Sequence, residues 1–135
     1  MTMRDYARGE TAARLYRMAR QAELAAESAD AGAIHDLRVS VRRLSRCLRV
    51  FAQFYPGSSW KKLRERLRVL MDAAGAVRDL DIAIALLGEA GIPPRAAVVV
   101  RLRGERRKRS GDFLAEVRRW RDGRLSRAWP RRLEL

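Results

Sequence analysis

At 135 residues, 47% of them apolar, the chain is long enough for one domain with its own core and too apolar for outright disorder. Thirty Lys and Arg against 16 Asp and Glu leave a net charge of +14, and all of these cations except Lys61, Lys62 and Lys108 are arginine. A single cysteine, Cys47, and a single histidine, His35, exclude a disulfide framework and a zinc site of several His and Cys ligands.

The chain reads as all helix, because Ala, Leu, Arg and Glu dominate and no segment sustains a period-2 alternation. The first helix is expected from about Asp5 to Ala29, with Tyr6, Tyr16, Met18 and Leu24 as packing residues. Arg14, Arg17 and Arg20 on it either widen a basic surface or are simply solvated. Ser28-Ala29-Asp30-Ala31-Gly32 breaks that helix, and a second runs from near Ile34 to about Tyr55. Pro56-Gly57-Ser58-Ser59 ends it and offers a serine cap to a third helix over Trp60 to Ala74. Gly75 is expected to interrupt, with a shorter helix from about Asp79 to Gly88. Gly91-Ile92-Pro93-Pro94 punctuates the chain before a last long helix that reaches Asp122-Gly123, and residues 124–135 form a loose tail. Short connections between amphipathic helices predict one antiparallel bundle of four to five helices spanning residues 1–135.

The second helix carries two stripes. Ile34, Leu37, Val41, Leu44, Leu48 and Phe51 recur at spacings of three and four and form a core face. About 100° around the helix lies a basic stripe of His35, Arg38, Arg42, Arg46 and Arg49, with Ser45 beside it. A basic row bordering the apolar one is not what a merely solvated face requires, since such a face sits opposite the core. The third helix repeats the phase: Trp60, Leu63, Leu67 and Leu70 are followed one residue behind by Lys61, Arg64 and Arg68. In the last helix Arg106 and Arg109 fall within the core phase of Val99, Leu102, Phe113, Val117 and Trp120, so they call for anionic partners. A cation every three or four residues is one per about 5 Å of axis, and guanidinium forks grip phosphate oxygens in pairs. This pattern suits a linear polyanion.

The segment Ile34-His35-Asp36-Leu37-Arg38-Val39-Ser40-Val41-Arg42-Arg43-Leu44 resembles the first signature of the CHAD domain, the conserved histidine α-helical domain. Leu63-Arg64-Glu65-Arg66-Leu67, followed by Gly75-Ala76-Val77-Arg78-Asp79-Leu80-Asp81, resembles its second, a Gly-x-x-Arg-Asp-x-Asp turn. The two cover residues 34–87. The resemblance implies an all-α fold and non-catalytic binding of inorganic polyphosphate in a basic groove. It assigns His35, Arg38, Arg42, Arg46 and Arg49 to one wall, Lys61, Arg64 and Arg68 to the other, and Arg78 to the turn. Arg106 and Arg109 rest on their helical phase alone. A full CHAD domain comprises two related helical halves, and this chain matches one, so a homodimer supplying the missing half is expected.

His35 reads as a phosphate contact, as a structural donor at a helix start, or as a metal ligand without an evident second ligand. Asp36, Asp79 and Asp81 read as caps and arginine partners rather than catalytic acids, and Cys47 as a small hydrophobe. No catalytic residue, metal or cofactor is expected. The alternative to polyphosphate is general nucleic-acid binding, which the same charge would support with a steep salt dependence. Sparse aromatic interleaving argues against base stacking on a single strand. No apolar run approaches the roughly 18 residues of a membrane span, and no secretion signal opens the chain, so no membrane partner and a cytoplasmic location are expected, in association with polyphosphate granules.

Overall fold

The computed structural model describes residues 1–122 and 125–135. A capping box starts α1 (Met3–Ser28): Thr2 Oγ1 accepts from the Asp5 N–H and the Asp5 carboxylate accepts from the Thr2 N–H, both at 3.1 Å. Its buried residues Ala7, Thr11, Leu15, Met18, Ala22 and Ala25 follow the three-and-four spacing. Met18 is buried as expected and Leu24 half-buried; Tyr6 is exposed but packs edge-on against Phe51 with ring centroids 6.1 Å apart, and Tyr16 stands in solvent. The break after α1 is shorter than expected. Ala29 turns into the left-handed region at φ 51°, and Asp30 caps α2 by accepting from the Ala33 N–H at 2.7 Å. That N–H holds the Asp30 carboxyl below its usual range.

The second helix, α2 (Ala31–Val50), stops five residues before the expected end, and Ala52–Phe54 tighten into a 3-10 turn. This turn lets Tyr55 bury its ring and place its hydroxyl on Thr11 Oγ1, which itself donates to the Ala7 carbonyl at 2.7 Å. Burial pushes the Tyr55 hydroxyl up to about 12. Cys47 is buried beside the same hydroxyls, 3.5 Å from Thr11 Oγ1.

The largest departure is α3 (Ser59–Glu89), one continuous helix of 31 residues where a break at Gly75 was expected. Glycine costs a helix interior roughly 1 kcal/mol. Burial of Leu70, Ala74 and Val77 on either side of it outweighs that cost. The Gly-x-x-Arg-Asp-x-Asp segment is therefore helical, and Asp79 is an exposed mid-helix residue rather than a cap. In α4 (Ala97–Asp122), Val99, Phe113, Val117 and Trp120 are buried. The expected loose tail instead contains α5 (Leu125–Arg132), which seats Trp129 and Leu133 in the core at 1% and 0% exposure. Gly123, at the expected end of the last long helix, and residue 124 of the expected tail lie outside the described residues.

Successive helices pack side by side, α1 on α2, α2 on α3 and α3 on α4, with α4 also touching α1. Ser45 faces Arg64 while Arg38 faces Gly75, so α2 and α3 run antiparallel. An Arg8–Glu134 pair at 3.5 Å ties the chain end to α1. Glu116, 5% exposed at its side chain, is held between Arg66 of α3 and Arg119, each at 3.2 Å. The core ends at Val77, so the later part of α3 and the start of α4 project beyond α1 and α2 with Ile82, Leu86, Ile92, Val98 and Val100 exposed.

Candidate binding groove

The basic stripes of α2 and α3 border the buried seam between these two antiparallel helices, so their side chains rise on its two sides and leave a groove of about 520 Å³ between them. Val41, Leu67 and Met71 contribute apolar lining. Arg42, Arg46 and Arg49 line it from α2, and Lys61, Arg64 and Arg68 from α3. The only carboxylate among the lining residues is Glu65.

These cations differ in what already holds them. Arg42, Arg46 and Arg49 are exposed and reach no carboxylate among the described residues. Arg64 is half-buried and donates from Nε to Ser45 Oγ at 3.3 Å, which fixes it across the seam. Lys61 stands over the Trp60 ring at 5.6 Å. Arg68 is engaged: its fork grips Glu65 at 2.6 and 3.2 Å, and Nη1 reaches Asp72 at 3.0 Å. That contact holds the Glu65 carboxyl below its usual range and raises the Arg68 guanidinium. A phosphate entering beside Arg68 must displace an exposed ion pair, whose exchange is cheap because such pairs are worth about 0–1 kcal/mol. The Glu65–Arg68 and Arg68–Asp72 spacings of three and four residues were a visible signal of this local pairing that charge counting passed over.

Arg38 and Arg78 lie further along the same helices, outside this groove. Arg38 rests against α3, its Nη2 3.9 Å from where a Cβ on Gly75 would stand, and its buried Nε has no hydrogen-bond partner among the described residues. Arg78 is half-buried one turn after Gly75. His35 opens elsewhere, into a recess between α1 and α2 shared with Arg17, Ser40 and Arg43.

Arg106 and Arg109 are not among the groove residues, and the anionic partners that their helical phase calls for are carboxylates of this chain rather than a ligand. Arg106 donates from Nε and Nη2 to Asp81 at 2.5 and 3.3 Å, from Nη2 to the Ala29 carbonyl at 2.9 Å and from Nη1 to Ser110 at 3.3 Å. It thus clamps α4 to α3 and to the end of α1. Arg109 is exposed and pairs along its own helix with Glu105 at 3.1 Å and Asp112 at 3.7 Å. Asp81 is an arginine partner as expected from sequence.

Chemically, the groove offers converging guanidinium forks, one ammonium and a field little offset by carboxylates, on a partly apolar bed. Such a surface favours ligands with many closely spaced anionic oxygens. Among the described residues no group of three or more His, Cys, Asp or Glu is placed to hold a metal ion, and no helix is long and apolar enough to cross a membrane.

No curated protein and no solved structure matches the chain. The family model of the CHAD domain matches residues 11–134, nearly the whole chain, and the helical bundle agrees with it. The chain belongs to the CHAD-domain family.

Proposed function

We propose that the protein binds inorganic polyphosphate in the α2–α3 groove without transforming it. The observation that carries this reading is the opposition of Arg42, Arg46 and Arg49 to Lys61, Arg64 and Arg68 with a single carboxylate between them. Membership of a family whose domains bind polyphosphate-related ligands supports the same class of ligand. A narrow groove admits a thin, flexible phosphate chain more readily than a rigid duplex, which needs a broad surface. A cytoplasmic location near polyphosphate granules belongs to this reading.

The test is a competition titration at fixed, near-physiological salt, in which labelled long-chain polyphosphate is displaced by unlabelled polyphosphate, duplex DNA, single-stranded RNA and heparin. Polyphosphate should win at equal phosphate concentration. Equal displacement by all four would favour general polyanion binding, nucleic acid included, and overturn the proposal. Each charge-assisted hydrogen bond contributes about 1.5–3 kcal/mol. Arg42→Ala with Arg64→Ala should therefore weaken binding by roughly 100-fold or more, and flatten the salt dependence by about one unit of slope for each phosphate-binding cation removed.

We further propose that two copies pair through the projecting α3–α4 hairpin. Its exposed Ile82, Leu86, Ile92 and Val98 accompany a stretch, residues 79–94, that holds no Lys or Arg and exposes Asp79 and Glu89, Asp81 being neutralised by Arg106. A chain of net charge +14 approaches its copy with least repulsion where its own charge is locally negative. Sedimentation equilibrium should give twice the chain mass at micromolar concentration, and a single-chain mass would refute the pairing.

A further inference from the structure

We propose that the polyanion path does not end in the α2–α3 groove but crosses the crest of α2 into the seam between α1 and α2. This rests on the polyphosphate reading above and deepens it into a preference for long chains.

The argument starts from shared walls. Arg46 lines the α2–α3 groove and also a recess of about 320 Å³ between α1 and the C-terminal half of α2. Arg43 lines that recess and also the next one, of about 380 Å³, around Arg17 and His35. The three depressions therefore lie in sequence, each pair separated by one exposed arginine that walls both, and these two arginines are three residues apart, a rise of about 4.5 Å along the helix. The solvent face of α2 presents Arg42, Arg43, Arg46 and Arg49, all exposed, none with a carboxylate partner among the described residues. Arg17 on α1 is likewise exposed and unpaired with any described carboxylate. Two acids lie on the route: Glu10, held by Arg14 at 3.5 Å, and Asp36 beside His35. The cations outnumber them, so the net field continues to favour phosphate.

A flexible polyanion already anchored in the groove meets this second seam at high effective concentration, so each added contact strengthens binding without a new association step. A ligand of a few phosphates fills the groove alone and gains nothing. A chain long enough to pass over Arg46 and Arg43 engages both sides of α2.

The experiment compares tripolyphosphate with long-chain polyphosphate by isothermal titration calorimetry on the full chain. Three proteins are used: wild type, Arg17→Ala with Arg43→Ala, and a control, Arg101→Ala with Arg107→Ala, that removes equal charge from the exposed surface of α4. The Arg17/Arg43 variant should lose about tenfold in affinity for the long chain, because the second anchorage is gone, and nothing for tripolyphosphate. The control should show no such length-dependent loss. Equal losses for both ligands, no loss for either, or the same length-dependent loss in the control would each overturn the path. Failure of wild type to bind long-chain polyphosphate in preference to heparin would sink the functional reading itself, a separately readable outcome.

Discussion

Replacing Arg106 tests whether this arginine is a ligand contact, as its helical phase suggests, or an internal clamp, as its partners indicate. In the folded protein its side chain is 26% exposed and that of Asp81 16%. Arg106→Met keeps the hydrophobic stem and removes the fork, which leaves a mostly buried carboxylate unpaired and the Ala29 carbonyl without its donor. Removing one partner of a fully buried pair costs about 3–5 kcal/mol. With water reaching both partners here, the expected loss is about 2–3 kcal/mol. For a urea slope of about 1–3 kcal/mol per molar, the unfolding midpoint should fall by roughly 0.7–3 M. Asp81→Asn should show a comparable loss. The double variant should lose less than the sum of the two, with a coupling of about 1–2 kcal/mol, because the Arg106–Asp81 contact can be lost only once, whereas the bonds from Arg106 to Ala29 and Ser110 go with the arginine alone. Polyphosphate affinity, measured well below the variant's unfolding midpoint, should match wild type. Additive single effects, or an affinity loss with unchanged stability, would refute the clamp and return Arg106 to the ligand.

Three further outcomes are expected. Gly75→Ala should stabilise the protein by about 0.5–1 kcal/mol, since the new methyl meets Arg38 Nη2 at an ordinary 3.9 Å; a fall in melting temperature would show that α3 needs the glycine. Trp129→Ala should cost about 3–5 kcal/mol, because the ring is 1% exposed in the core; a loss below about 1 kcal/mol would mean that α5 detaches freely. Burial raises the Tyr55 hydroxyl from 10.0 to about 12, so the neutral form is favoured by the fold, and stability should be intact below pH 10 and fall progressively towards pH 12. Alkaline unfolding followed by circular dichroism checks this, and Tyr55→Phe should remove that part of the dependence.

Much of the architecture was legible in local spacing. The apolar faces of α2 and α4 were readable because burial on one side of a helix writes itself into residues three and four apart, whereas on α1 only Met18 of the four expected packing residues is buried. The same rule located the basic stripes, and with them the cations that line the groove. Gly75 was misread as a break because propensity is a local quantity, while burial of Ala74 and Val77 against neighbouring helices is not. The tail was misread for a related reason: an eight-residue helix with an internal proline is weak alone, and α5 is held by seating Trp129 and Leu133 in a core made elsewhere.

The helical class, the strong positive charge and the phase of each basic stripe relative to its apolar neighbour are determined by the sequence alone, since each depends on residues within a few turns of one another. Which arginines remain open to a ligand was decided only by the tertiary structure. Arg66 meets Glu116 across 50 residues of chain and Arg106 meets Asp81 across 25, whereas Arg42, Arg46 and Arg49 meet no carboxylate among the described residues. A charge becomes a binding group or an internal clamp according to what the helix register sets beside it, and that register is fixed by packing between distant segments.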